Sequence, residues 1–309
     1  MIDILIYFPI DIKNILCDQI KKGQLLEEIR IRVNKPIILK FSDKEIIVKY
    51  FVSRDDILKI LQCVCENSIY SYQHQIAEGF ITVKGGHRVG IAGSCVIENE
   101  KVININYINS LNFRIARQII GVSKPVLKDI LNTKENTIFN TLIISKPGCG
   151  KTTLIKDIIK EISSGIEEIN FKGLNVAVVD ERGEIAALYK GSAQNDIGLK
   201  TDVIDNVSKS IGMKMLIRSM APQVIVADEI GGVDDIEAIN YAMCSGSKGI
   251  FSAHGQVIED LYANKVLKEL IDDKIFEVLI FLDSTEKGKI KEVFILDKIK
   301  QEYKRVEGK

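Results

Sequence analysis

The sequence predicts an α/β protein in which a mostly parallel sheet follows a smaller mixed α+β domain. Three observations predict it. From residue 136 onward, apolar strand-like runs alternate with amphipathic helical stretches, the pattern of successive βαβ units. A glycine-bearing loop, Ser145–Thr152, joins one such strand to one such helix. Two further strands end in paired acids, Asp180-Glu181 and Asp228-Glu229, and in an open parallel sheet the C-terminal strand ends converge on one crevice.

The chain has 309 residues, beyond the roughly 250–300 at which single cores stop growing. Two domains are therefore expected, residues 1–135 and 136–309, with the polar stretch Thr133–Thr137 as the border. In the first, Glu27–Val33 and Pro36–Phe41 read as strands around an Asn34-Lys35 turn. Ser53–Cys65 reads as an amphipathic helix: a serine cap, acids in the first turn, then apolar positions 57, 58, 61 and 64. Gly79–Val96 is glycine-rich and β-like, and Leu111–Ile119 carries two arginines three apart.

In the second domain, strands are expected at Thr137–Ser145, Asn175–Asp180, Val224–Asp228 and Gly249–His254. Helices are expected at Lys151–Ser163, Asn206–Met220, Val233–Cys244 and Val257–Leu270. Phe276–Asp283 and Ile290–Leu296 flank Lys287-Gly288 and suggest a closing hairpin.

Acidic and basic residues balance at 42 each, so no overall basic field points to nucleic acid or an anionic membrane as the main partner. The six cysteines are scattered, unlike a disulfide framework. Cys63 and Cys65 form a CxC pair without a second pair at ligand spacing, so they read as free thiols rather than a metal site. Apolar stretches such as Phe276–Leu282 fall far short of the ~20 residues that span a bilayer. The N-terminal run from Met1 to Ile10 lacks a basic n-region and contains Asp3 and Pro9, so it reads as folded chain, and a cytoplasmic protein is expected.

The loop Ser145-Lys146-Pro147-Gly148-Cys149-Gly150-Lys151-Thr152, with Thr153 after it, has the strand–loop–helix context of a phosphate-binding loop. Small residues let backbone N–H groups wrap an anion, and the helix N-terminus adds its positive end. Lys151 is placed for the β- and γ-phosphates of ATP, and the Thr152 hydroxyl for Mg²⁺. The usual leading glycine is Ser145 here. A serine can end a strand in extended conformation; a left-handed backbone there would cost roughly 1–3 kcal/mol.

Val224–Glu229 is an apolar strand ending in two acids, a Walker B pattern. Asp228 is expected to hold Mg²⁺ through water, and Glu229 to orient or deprotonate the attacking water. Asp180 and Glu181 end another strand and are expected to face the γ-phosphate, which makes Glu181 the second candidate base. His254 ends a further strand, where a γ-phosphate sensor would lie.

Taken together these residues resemble the secretion ATPases of type II secretion and type IV pilus systems. The marks of that superfamily match Ser145–Thr152 (Walker A), Asp180-Glu181 (Asp box), Arg218, Pro222 and Asp228-Glu229 (Walker B), and Ser252–Gly255 (His box). Within it, GGHRVGIAG (Gly85–Gly93), SLNFRIAR (Ser110–Arg117), VVDERGEIA (Val178–Ala186), AQNDIGLKTDVID (Ala193–Asp205) and MLIRSMAPQVIVADEIGG (Met215–Gly232) resemble the stage III sporulation protein AA family. That family usually opens its loop Gly-Pro where Ser145-Lys146 stand here.

The resemblance implies a RecA-like ATPase domain and a hexameric, ring-forming motor on the cytoplasmic side of a membrane. It also implies partners among the membrane proteins of a transenvelope sporulation complex that links mother cell and forespore. Arg88, Arg114 and Arg117 lie in the matching N-terminal segments. Either Arg114 or Arg117 is a candidate arginine finger acting across a subunit boundary; surface or interdomain ion pairs are the alternative. On a helix the two would share a face, on a strand they would oppose. RecA-like domains also drive nucleic-acid motors, but the chain has no net positive charge and no tryptophan for stacking, so nucleic acid is not expected. A non-catalytic nucleotide-binding scaffold is a third reading, which rests on Ser145 alone.

Overall fold

The computed structural model describes residues 3–21 and 23–306. Met1 and Ile2, the first two residues of the apolar N-terminal run, lie outside the described residues. The chain divides into two compact units, one reaching to Arg117 and including Leu188–Gln194, the other formed by Gln118–Ala187 and the chain from Asn195 on.

The first unit begins with a 3₁₀ turn, Asp3–Tyr7, and α1 (Ile10–Gln19). There follow β1 (Leu26–Arg32), β2 (Pro36–Phe41), β3 (Glu45–Phe51), α2 (Arg54–Val64), α3 (Gln73–Ala77), β4 (Phe80–Val83), β5 (His87–Glu98) and β6 (Lys101–Arg114). The six strands form one antiparallel sheet in the order β3-β2-β1-β6-β5-β4. Alternation puts Ile29, Ile31, Leu111, Phe113, Val89 and Ile91 on one buried face, with Phe113 against Phe8 at 4.7 Å between ring centroids. The helix α2 opens as its sequence predicts: Ser53 accepts from the Asp56 N–H and the Asp56 carboxylate accepts from the Ser53 N–H. Leu188–Gln194 is held to this unit by the Glu66 carboxylate, which takes the Tyr189 hydroxyl and the Lys190 ammonium, and by the Gly85 N–H, which donates to Gln194 at 2.7 Å.

The second unit contains α4 (Lys124–Ile130), β7 (Leu131–Asn132), β8 (Thr137–Ile138), β9 (Thr141–Ser145), α5 (Lys151–Ser164), β10 (Gly165–Ile166), β11 (Phe171–Lys172), β12 (Val176–Asp180) and β13 (Thr201–Asp205). It continues with α6 (Lys209–Met220), β14 (Val224–Ala227), α7 (Val233–Cys244), β15 (Lys248–His254), α8 (Ile258–Ala263), α9 (Lys265–Asp272), β16 (Val278–Leu282), β17 (Ile290–Asp297) and β18 (Glu302–Arg305). The main sheet runs β13-β12-β14-β15-β9-β16-β17-β18. The six strands from β13 to β16 are parallel, and β17 and β18 close the edge antiparallel. Leu142, Ile144, Val179, Ile225, Phe251 and Phe281 share one core with residues of α6 to α9. Their chain neighbours Ile143, Val178, Val226 and Ile280, equally buried, point to the opposite face.

Several boundaries differ from the sequence reading, each for a local reason. The units part after Arg117, not near residue 135. The Asp157 carboxylate of α5 takes the Gly121 N–H at 2.9 Å and the Ser123 N–H at 2.8 Å, which binds that stretch into the second unit. Of the polar stretch 133–137, residues 133–136 are only the turn between β7 and β8, and Thr137 opens β8. The strand expected over Thr137–Ser145 is broken at Asn140, whose amide ties Ile275 O and the Gly249 N–H instead of continuing the ladder. The helix expected over Val257–Leu270 is two, because Asn264 caps α9 by accepting from the Val266 and Leu267 N–H groups. Leu111–Ile119 is strand only to Arg114, so Arg114 and Arg117 share neither a helix nor a strand. Cys65 is buried and Cys63 exposed; burial raises the Cys65 thiol to about 11, as befits a core thiol.

Candidate functional site

The loop after β9 turns through two left-handed glycines, Gly148 (φ 79°) and Gly150 (φ 104°), a region closed to most side chains. A side chain at Gly150 would also meet the Gly288 backbone nitrogen at 3.1 Å. The Gly288 N–H donates to Cys149 O at 2.8 Å, so the β16–β17 connection buttresses the loop, a contact that the sequence signals only as a Lys-Gly turn. Gly150 is the N-cap of α5 and offers no side chain, which leaves the first-turn N–H groups open to an anion. Ser145 ends β9, 1% exposed and paired in register with His254. It is not among the positive-φ residues, so the leading serine carries no left-handed strain.

Lys151 is 5% exposed. Its ammonium donates to Ser145 O at 3.0 Å and Lys146 O at 3.4 Å, and lies 3.3 Å from His254 Nδ1. Burial lowers its pKa, opposed by the charges of Asp228 and Glu229. An ammonium has no acceptor, so His254 Nδ1 accepts and its ring proton sits on Nε2. That nitrogen faces Glu229 Oε1 at 3.5 Å.

The strand order explains how distant residues meet. β15 lies between the loop strand β9 and the acid-bearing β14, so residues at its end touch both neighbours. Ser252 of β15 donates through its hydroxyl to Asp228 and accepts the Glu229 N–H at 2.9 Å. Asp228 Oδ2 in turn accepts from the Thr152 hydroxyl at 2.8 Å. Glu229 sits in the left-handed region at φ 51°, its N–H shared with Asp228 Oδ1 at 3.0 Å. Its other carboxylate oxygen meets Arg182 Nη1 at 2.5 Å. Neither Ser252 nor Arg182 stood out by residue type; both lay within segments that carried the resemblance, Ser252–Gly255 and Val178–Ala186, without a role of their own.

The Asp180-Glu181 pair behaves differently from its sequence reading. Asp180 is 2% exposed, and its carboxylate accepts four backbone N–H groups, those of Glu184, Ile185, Ala186 and Ala187. Its oxygens are engaged in folding that loop, although Asp180 also lines the cavity described next. Glu181 is paired with Lys209 at the start of α6. Glu181, Arg182, Lys209, Asp228 and Glu229 all line one narrow cavity of about 20 Å³. A wider cavity of about 350 Å³ shares Glu181, Lys209 and Glu229 and extends to the N-termini of α6 and α7. Burial and the Asp180 charge raise the Asp205 carboxyl, and burial lowers the Lys156 ammonium.

Arg114 and Arg117 belong to the first unit. Arg114 is exposed at the end of β6, opposite Glu28 on one side and Arg88 on the other. The Arg117 guanidinium donates to Leu26 O at 2.7 Å.

The donor set fits a magnesium–nucleotide better than a protein-caged metal. Among the described residues no group of three or more His, Cys, Asp or Glu is placed to hold a metal. Thr152 offers the kind of oxygen that Mg²⁺ takes directly from protein, with the Asp228 carboxylate beside it at 2.8 Å for a bound water and phosphates to supply the rest. Among the described residues no helix is long and apolar enough to cross a membrane.

Comparison with known proteins speaks to the fold and the family. The ATPase DotB of Legionella pneumophila superposes with a TM-score of 0.57 at 14% identity, over 89% of this chain and 78% of that one. The pilus retraction motor PilT with bound ADP gives 0.56 at 16% identity, over 87% and 76%. Both likenesses speak to the fold. Stage III sporulation protein AA of Bacillus subtilis (strain 168) is 37% identical over 270 residues, 87% of this chain and 86% of that protein. The family described as "Sporulation stage III, protein AA" matches residues 2–299. The chain belongs to the sporulation stage III protein AA family.

Proposed function

We propose that the chain hydrolyses ATP and serves as the motor of a membrane-associated, secretion-like complex in endospore formation. The observation that carries the reading is the convergence of Lys151, Thr152, Asp228, Glu229 and His254 at the ends of three adjacent parallel strands, around a loop shaped for phosphate.

In this reading Ser145–Thr153 wraps the phosphates with backbone N–H groups. Lys151 exchanges its loop carbonyls for β- and γ-phosphate oxygens. Thr152 and, through water, Asp228 hold Mg²⁺, which when bound neutralises charge on the phosphate oxygens. Glu229 orients the attacking water and takes its proton, while His254 connects that carboxylate to Lys151. Glu181, which is paired with Lys209 and not joined to Asp228 or Ser252, is the second candidate base. Each subunit of a hexameric ring contributes Arg114 or Arg117 to its neighbour's nucleotide. The cytoplasmic ring docks on membrane proteins that span from mother cell to forespore.

Phosphate release by the purified full chain tests this. Turnover is expected with ATP and Mg²⁺ and is expected to vanish in Lys151→Ala, which loses a charge aimed at the phosphates; wild-type turnover in that variant sinks the reading. The mass of the protein with an ATP analogue and Mg²⁺, alone and with membrane components from its operon, tests the ring and its docking.

A further inference from the structure

Arg182 follows the acid pair at the end of β12, and its guanidinium reaches across the narrow cavity to Glu229. The Glu229 carboxylate is thereby gripped on both oxygens, Oε2 by Arg182 at 2.5 Å and Oε1 by His254 at 3.5 Å. Its backbone is equally constrained: the left-handed φ of 51° is kept in place by the N–H bonds to Asp228 and Ser252. Non-glycine residues hold such a conformation only when their surroundings over-determine it.

Two cations line the cavity beside Asp180, Glu181, Glu184, Asp228 and Glu229. Lys209 pairs with Glu181, and Arg182 with Glu229. We infer that Arg182 is the positioning residue that aims Glu229 at the attacking water; this rests on the proposed function, with Glu229 as the base. The Nη1–Oε2 contact draws one carboxylate oxygen toward Arg182 and leaves Oε1 on the side of His254. Without Arg182, Glu229 shares a confined space with the negative Glu181 and Asp228. Repulsion then turns the side chain toward Lys209 or outward, away from the bond being broken. A displacement of about 1 Å at such a group costs on the order of 10²-fold in rate.

The test compares the wild-type full chain with Arg182→Ala, Arg182→Lys, Glu229→Gln and the double variant Arg182→Ala/Glu229→Gln. It reads steady-state phosphate release and binding of a fluorescent, non-hydrolysable ATP analogue. Arg182→Ala is expected to lower kcat roughly ten- to a hundred-fold, with KM and analogue binding nearly unchanged. Arg182→Lys is expected to recover part of that loss, and the double variant to be no slower than Glu229→Gln alone, since the two residues act through one carboxylate. An unaffected kcat in Arg182→Ala overturns the inference. So does an equal loss in the Glu229→Gln background, a fall in analogue binding that matches the fall in rate, or a lysine variant no faster than the alanine one. A wild-type chain that releases no phosphate removes the proposed function itself; a wild-type chain that turns over beside an indifferent Arg182→Ala removes only this inference.

Discussion

The Thr152 hydroxyl donates to Asp228 Oδ2 at 2.8 Å, joining the first turn of α5 to the end of β14. Two oxygens separated by 76 residues of sequence thus share one point in space. Asp228→Asn keeps this shape and removes the charge. The Mg²⁺ concentration for half-maximal phosphate release is expected to rise about tenfold or more, the usual cost of losing an outer-shell carboxylate. Mg²⁺ titrations of both proteins check this, and an unchanged midpoint would remove Asp228 from the metal's surroundings.

Glu229 and Glu181 line the same cavity but have different partners. Glu229→Gln is expected to bind ATP and cleave it about 10²–10⁴-fold more slowly, the contribution typical of a general base. Glu181→Gln is expected to lose much less, because Glu229 and not Glu181 is joined to Asp228, Ser252 and His254 beside the loop. Single-turnover measurements with radiolabelled ATP separate binding from cleavage. The reverse ranking would make Glu181 the base.

The two arginines of the first unit should part company. Arg114 is exposed, so Arg114→Ala is expected to lower turnover and leave ATP binding and stability intact. Mixed rings of Arg114→Ala and Lys151→Ala subunits are expected to regain some activity at sites that combine an intact Lys151 with an intact Arg114. Arg117 is exposed too but tied to Leu26 O, so Arg117→Ala is expected to cost roughly 1 kcal/mol of stability whether or not it also lowers turnover. Activity in mixed rings and urea melts of each variant check both statements. Mixed rings that contain both subunits yet stay inactive argue against Arg114 acting in trans.

His87 gives a pH dependence. Its ring is 8% exposed, and Nδ1 accepts the Ala116 N–H at 3.0 Å. Burial lowers its pKa, against a weaker opposing pull from Asp3. In the unfolded chain the ring titrates near its ordinary value of about 6.5. Between that value and the lower folded one the unfolded chain binds more protons, so stability falls as pH falls through this window. Above about pH 6.5 the effect is absent. Urea denaturation of the wild type at pH 7.5 and 5.5 should show the loss, and His87→Asn should reduce its size. An equal loss in both proteins would place the pH sensitivity elsewhere.

The sequence by itself determined the second unit's alternation of strand and helix, the loop between β9 and α5, and the acid-ended strands. These follow from local causes: apolar runs, a cap, glycines and a short motif. It also determined the family, through several short segments in fixed order. Only the tertiary structure decided which of the acids face one another. Asp180 and Asp228 end similar apolar strands, yet one is consumed by four backbone N–H groups and the other meets Thr152 and Ser252. No periodicity separates them: Asp180 turns onto the loop that follows it, while Asp228 meets the neighbouring β15 and the first turn of α5. The insertion of β15 between β9 and β14 sets Ser252 and His254 between loop and acids. The grip of Arg182 on Glu229 is of the same kind. Hydrogen bonds between strand ends are long-range in sequence, and pairing order, which burial of both sheet faces selects, is what brings their partners together.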